Sequence, residues 1–379
     1  MTNIQLRKLI AGQRTLLLVY ALSAIIVTIQ RGVFGFPNDF AIFRAAFWNL
    51  IAGNDLYVLR TQQAHDYFKY SPSFALLFAP FAILPFLVGL FFWNLFNALA
   101  IFFALRLLLA RDQWAIAQAL VFLPTLRSMQ SAQSNAFVAA IIILAFVCFE
   151  RGNLWRGATA VAFGTATKIF PLTALAFALP RPDRVRAVLL TALSTAILLL
   201  LPLLVISPRA ILAQYRSWAA LEKGEAALAG SSVMQLFRDA GVTWPAWPIQ
   251  LIGCAILLTV LVARMRDWEQ RDLRLRFLAF VLVFCVVFNH RAERQSAVIA
   301  VSGMVIWLLA SPRSTWRIVF FATVYALTCI TGSSLTPRFV KEMLSPEARF
   351  SVPLTVLWLV MLGELLLVRP HRPELGEAS

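Results

Sequence analysis

The chain has 379 residues, of which 60% are hydrophobic and only 14% charged, and its mean hydropathy is +0.76. A soluble domain is about half apolar and about a quarter charged, so a water-soluble globular protein is excluded. No long polar segment is left over, and one integral membrane domain over 1–379 is expected. The net charge of +16, from 34 Lys plus Arg against 18 Asp plus Glu, is accounted for by arginines flanking apolar runs. No nucleic-acid-binding motif accompanies it, so nucleic acid is set aside as a partner.

Apolar runs of roughly 15 to 22 residues mark helices that cross a bilayer, and Lys and Arg mark their cytoplasmic ends. The first run, 15–30, follows Arg7, Lys8 and Arg14, and no small-x-small cleavage site comes after it. It reads as a retained span with a cytoplasmic N-terminus. A polar loop, 31–72, then lies outside. Within it 39–52 reads as a helix with Phe40, Phe43, Phe47, Leu50 and Ile51 on one face and Arg44 at the border. Such a helix suits the membrane interface, and Gly53-Asn54 ends it. Pro72, Pro80 and Pro85 punctuate 71–85, predicting a shallow re-entrant hairpin rather than a crossing.

Further spans are expected at 86–109, 114–126, 136–149 and 187–206, and a short pair at 157–167 and 170–179, either crossing with little tilt or failing to cross. A second outer loop, 207–248, carries mixed charges and Trp218, Trp244 and Trp247. After it come 249–262, the basic inner stretch RMRDWEQRDLRLR at 264–276, and spans at 277–288, 296–310, 318–330 and 352–368, the last ending at RPHRP. The fold class is therefore all-α and polytopic, with about twelve transmembrane helices and both termini cytoplasmic. The four cysteines, Cys148, Cys254, Cys285 and Cys329, lie singly in apolar runs. They suggest neither a zinc site nor disulfides.

The polar residues concentrate in the outer segments, which points to function at the extracytoplasmic face. Asp39 has two readings. It, or Asn38, caps the helix that follows, or it is a general base that takes a proton from an acceptor hydroxyl. A low-dielectric surround at the membrane surface would raise its pKa and make it the better base. Asp55 reads as a turn residue after Gly53-Asn54. His65 reads as a solvated loop histidine, and Asp66 stands beside it. Tyr57, Tyr67 and Tyr70 offer faces for a sugar ring, or belong to an interfacial aromatic belt.

The turn NHRAERQ at 289–295 brings His290, Arg291, Glu293 and Arg294 together between two apolar runs. It is either a snorkelling turn with internal ion pairs or a phosphate clamp built on arginine forks and an imidazole. Lys168 and Arg127 are lone cations near outer span ends. Snorkelling accounts for each, and with the arginine turn they would line a site for an anionic leaving group. Gln133 and Asn135 are neutral hydrogen-bonding groups next to a helix start, where Ser134 or Asn135 would cap. There is no P-loop, dinucleotide fingerprint or HExxH. No metal or cofactor is expected, and a transferase at the outer face would need its activated donor delivered on a lipid.

The order Asp39-Phe40, Ala46, Gly53, Leu56-Tyr57, Tyr70, Pro72, FAPFAILP with Pro80 and Pro85, and Trp93 resembles glycosyltransferase family 87. So do QSAQSN, a GQxN-like element with Ala132 in place of glycine, TKIFP around Lys168 and Pro171, and GSSVMQLF at 230–237. The resemblance implies a C-type membrane glycosyltransferase fold. It also implies an inverting transfer from a polyprenyl-phosphate sugar, often mannose, to a lipid or glycan hydroxyl, with the acidic residue of the first outer loop, here Asp39, as base. The donor would lie among membrane lipids with its phosphate near Lys168, Arg291 or Arg294. The family's later outer turn often holds a Trp- and His-containing motif. FNHRAERQS departs from it, with His290 the nearest counterpart. A lipid-linked sugar flippase is the competing reading. It needs polar residues near mid-membrane and access from both sides, whereas here they crowd the outer loops.

Overall fold

The computed structural model describes residues 3–225, 227–312, 314–330, 338–343 and 345–367. Of the expected outer segment GSSLTPRFVKEMLSPEARF at 332–350, residues 332–337 and 344 fall outside the described residues, as does the basic C-terminal run at 369–373. Among the described residues every regular element is helical.

The chain opens with α1 (Asn3–Gly32), then α2 (Asn38–Ile51) and two short helices, α3 (Pro72–Leu77) and α4 (Ala79–Ala82). A bundle follows: α5 (Phe86–Leu108), α6 (Arg111–Gln130), α7 (Asn135–Glu150), α8 (Leu154–Thr167) and α9 (Arg184–Leu200). Next are α10 (Pro208–Gly224) and α11 (Val233–Asp239), and then α12 (Ala246–Ala263), α13 (Arg271–Val287), α14 (Ala297–Ala310) and α15 (Thr315–Ile330). The chain closes with α16 (Arg338–Met343) and α17 (Ala348–Leu367).

Burial follows composition. Helices apolar all round belong inside a bundle or a membrane. Accordingly Phe277–Val287 of α13 and Ala297–Trp307 of α14 are buried without interruption. The two pack tightly because Gly303 has no side chain, and a Cβ there would lie 2.6 Å from the Ala279 carbonyl oxygen. The outer helices show lipid-compatible surfaces instead, with Ile26, Leu189, Ile197 and Leu251 all exposed. Buried polar side chains bond between helices. Tyr20 donates to the Gln118 carbonyl at 2.7 Å, and Gln118 Nε2 donates to the Phe102 carbonyl at 3.0 Å, joining α1, α6 and α5.

Among the described residues, five helical stretches are long and apolar enough to cross a membrane: Gly12–Gly32, Phe86–Leu108, Arg184–Leu204, Ala246–Ala263 and Ala348–Leu367. Asn135–Glu150, Arg294–Ala310 and Thr315–Cys329 are apolar but shorter. The crossing counted at 170–179 is corrected. It is a 3-10 segment, Phe170–Phe177, of eight residues. At a rise of about 2 Å per residue it cannot traverse a hydrocarbon layer of roughly 30 Å. The break falls at Lys168, whose backbone is extended, and Pro171 contributes to it because it has no amide hydrogen to bond back to the Thr167 carbonyl and continue α8.

Two short helices stand where the proline-punctuated hairpin was expected. The apolar face of α2 closes on them in a second core, where Phe43 meets Tyr70, Phe74 and Phe78 at ring distances of 4.8, 5.1 and 5.3 Å. Phe40, Phe47 and Leu50 join this face as expected. Ile51 does not and stays exposed. The two long loops are joined. Gln214 of α10 donates to the Asn54 carbonyl at 2.9 Å and accepts from the Leu56 amide at 3.1 Å. Ser217 donates to Asp55 Oδ2 at 2.7 Å.

Candidate active site

Asp39 sits in the first turn of α2, where the capping reading predicts a bond to the backbone. No side chain caps this helix. Asn38 is occupied elsewhere, its Oδ1 accepting from the His65 amide at 2.8 Å. The Asp39 carboxyl instead faces a cavity of about 330 Å³. The cavity is bounded by α2, the 66–70 segment, the start of α7, the end of α8, the end of α10 and the turn 288–293.

Burial is the first cause that pushes the Asp39 carboxyl up to about 7, and the neighbouring Glu293 carboxylate adds to it; Lys168 and a bond from Gln133 oppose the rise. Lys168 occupies the break between α8 and the 3-10 segment, in extended backbone. Its Nζ donates to Asn135 Oδ1 at 2.6 Å and stands 5.6 Å from the Tyr70 ring centre. Burial lowers the Lys168 ammonium to about 8, while Glu293 and Asp39 hold it up. Asn135 also donates to Gln133 Oε1, and Gln133 Nε2 donates to Glu293 Oε2 at 2.8 Å. A chain of hydrogen bonds therefore runs Lys168, Asn135, Gln133, Glu293 beside Asp39.

Tyr70 packs edge-on to Phe43 and stacks on Phe74 at 4.7 Å. Its hydroxyl is pushed upward, chiefly by burial and then by Asp39, so it stays a neutral donor. His290 also lines the cavity. Burial, then Arg291, depresses its imidazole to about 4, so it is neutral near pH 7. Gln250 Nε2 donates to the Phe288 carbonyl at 3.2 Å and lies 3.1 Å from His290 Nδ1. An amide nitrogen only donates, so Nδ1 accepts and Nε2 carries the proton. His290 thus offers a hydrogen bond, not a charge.

Arg291 lines the same cavity but is spanned by two carboxylates, Glu222 and Glu225, each at 2.7 Å. These partners belong to the second long loop, so the ion pairs of Arg291 tie the turn to that loop and are not internal to the turn. Arg294 points away from the Asp39 cavity into a second one, with Arg31 and Arg127. Of the eight expected site residues, Asp39, Tyr70, Gln133, Lys168, His290 and Arg291 line one cavity. Asn135 braces it from behind, and Arg294 is outside it. Asp55 takes the turn role, its Oδ1 accepting from the Tyr57 amide at 2.9 Å. Sequence reasoning missed Gln250, which carries no motif signal. It also missed the closure of one wall by Trp218 and Glu222, which lie far away in the chain. The remaining wall is apolar, formed by Ile42, Phe43, Ile169, Phe284 and Phe288.

Charged groups and hydrogen-bond donors thus share a cavity with an apolar wall, in a helical integral membrane protein. Such a cavity suits an amphiphile with a polar head. The chain belongs to glycosyltransferase family 87, whose family model matches residues 68–289, and it is accordingly a membrane glycosyltransferase. The matched stretch holds Tyr70, Gln133, Asn135 and Lys168. Asp39 precedes it, so the case for Asp39 rests on its surroundings. No curated protein matches the chain.

Proposed function

We propose that the cavity transfers a hexose, mannose being the first candidate, from a polyprenyl-phosphate donor to a hydroxyl of a lipid or glycan acceptor, with inversion at the anomeric carbon. Asp39 takes the acceptor's hydroxyl proton. The acceptor oxygen bonds to the anomeric carbon as the bond from that carbon to the phosphate oxygen breaks. The polyprenyl phosphate leaves with the electron pair. Lys168 neutralises the charge that builds on it, and His290 Nε2–H and Tyr70 orient polar groups of the sugar or phosphate. The apolar wall accommodates the first isoprene units. The reaction faces the extracytoplasmic side of a bacterial-type inner membrane, within a fold of the C-type with both termini cytoplasmic.

One observation carries this reading: a carboxyl held near pKa 7 shares an amphiphilic cavity with a lysine ammonium. That is the pairing a base and an anionic leaving group require. The test uses membranes containing the full chain, polyprenyl-phosphate [3H]mannose and an endogenous-lipid acceptor pool. Asp39→Asn keeps shape and removes the base, and transfer should fall by about 10²- to 10⁴-fold at unchanged expression. Turnover retained in that variant removes Asp39 from the mechanism. Movement of label across the membrane without a glycosidic product would favour the flippase.

A further inference from the structure

The second cavity, of about 470 Å³, is lined by Gln30, Arg31, Arg127, Gln130, Arg294 and Gln295, together with Ser131. It differs in kind from the first. The Asp39 cavity sets Asp39, Asp66, Glu222 and Glu293 against Lys69, Lys168 and Arg291. Three arginines and no acid line the second, among the described residues. None of the three makes an ion pair among those described. Arg31 reaches the Phe36 carbonyl at 3.5 Å and Arg294 the Pro346 carbonyl at 3.4 Å, both at the limit of a hydrogen bond. Arg31 Nε is buried without a partner. Three half-buried guanidinium groups around one space repel one another unless an anion sits between them, and a guanidinium fork matches phosphate oxygens.

We propose that this cavity is a second anion site, which takes the phosphate of a lipid headgroup. The lipid source follows from what flanks it. Gln30 and Arg31 lie near the end of α1, next to the exposed Ile26, Ile29, Val33 and Phe34, the last 82% exposed. A headgroup held by the arginines would have its acyl chains along this apolar surface. The site adjoins the Asp39 cavity through one shared wall. Residues 130–133 and 293–295 form it: Ser131, Arg294 and Gln295 face the second cavity, while Gln133 and Glu293 face the first. The Gln133–Glu293 bond lies between the two. On the reading proposed above, a lipid phosphate held by the arginines lies across this wall from Asp39, the base for the acceptor, and suits the anchoring of an anionic lipid acceptor.

The experiment uses the full chain, purified in detergent and reconstituted in nanodiscs. Native mass spectrometry reads retention of short-chain phosphatidylglycerol against phosphatidylcholine. A parallel arm titrates inorganic phosphate alone. Wild type should retain phosphatidylglycerol in preference, and sodium chloride should weaken that retention. Arg127→Gln with Arg294→Gln should reduce it roughly tenfold or more, each single substitution less, while Arg294→Lys retains part. Arg209→Gln, at an exposed position away from both cavities, is the control. Arginine-dependent binding of phosphatidylglycerol supports the lipid source, and arginine-dependent binding of inorganic phosphate supports the anion site and shows that the headgroup suffices. Should the double variant not fold, the single substitutions and the salt titration decide. Retention indifferent to both salt and the substitutions overturns the proposal.

Discussion

At the scale of single residues, the roles proposed for Asp39 and Lys168 predict a pH dependence of activity with a definite sign. The Asp39 carboxyl is raised to about 7, so its basic form is gained as pH rises through 7. The Lys168 ammonium is lowered to about 8, so its charge is lost as pH rises through 8. The kcat/KM profile should therefore be a narrow bell with its maximum between these values. Lys168→Arg keeps a cation at all accessible pH. It should extend the alkaline limb upward and leave the acid limb in place. A profile flat from pH 6 to 9 in wild type would remove both groups from the rate-determining chemistry.

A second residue-scale case is Ala132. It has φ +53°, the left-handed region, and is fully enclosed. Its carbonyl accepts from Trp93 Nε1 at 2.7 Å, which fixes the turn before α7. A residue with a Cβ costs roughly 1–2 kcal/mol in that conformation, and glycine returns about 0.5–1 of it through chain entropy. Ala132→Gly should raise thermal stability by up to about 1 kcal/mol, as measured by unfolding in detergent. The family resemblance marks this same position as one where glycine is usual. The conformation supplies the physical reason, which the residue string alone did not.

At the scale of elements, the site is assembled by loops that clasp one another. Gly230, with φ +50°, lets the second long loop press on the 289–293 turn. A Cβ there would lie 2.6 Å from the His290 carbonyl oxygen and 2.8 Å from that of Ala292. Ser231 donates its amide to the same Ala292 carbonyl at 2.6 Å. Both neighbours are backbone, so no rotamer change relieves the clash. Gly230→Ala should cost about 1–3 kcal/mol and shift His290 and Arg291 away from Asp39. Transfer activity should fall at least tenfold in protein that remains folded. Unchanged KM and kcat would show that the second loop does not set the site.

The amphipathic α2 was legible because its aromatic spacing follows the helical period. Asp39 was legible as a polar residue at a helix start. What separates base from cap is whether the backbone amides or an open cavity claims the carboxyl, and that depends on long-range assembly, which sets Gln133, Lys168 and the 289–293 turn around the cavity that Asp39 lines. Arg294 illustrates the same limit. It is two residues beyond Ala292 in a turn that reverses direction, and Glu293 and Arg294 enter different cavities. Composition pooled them as one cluster, and the turn's geometry divides them. Likewise the apolar run at 170–179 looks like a crossing until Pro171 is weighed against it.

At the scale of the whole molecule, the bundle is fastened by charges at the end remote from Asp39. Glu364 of α17 accepts from Trp307 Nε1 of α14 at 2.8 Å and from Arg317 of α15 at 2.8 Å. Arg317 also lies 5.1 Å from the Trp316 ring. The pair is largely enclosed, with side chains 12% and 10% exposed. Removing one partner of an enclosed ion pair leaves the other charge uncompensated, at about 3–5 kcal/mol. Glu364→Gln keeps a carbonyl for Trp307 but strands Arg317, so thermal unfolding in detergent should move down clearly. Adding Arg317→Met should recover part of the loss, because the orphaned charge is then gone. Turnover per folded molecule should stay at the wild-type value in both variants, since the site-bearing end keeps its own contacts through α2, α8 and α10. A loss of turnover at intact fold would instead mean that α14, α15 and α17 move against the site during the reaction.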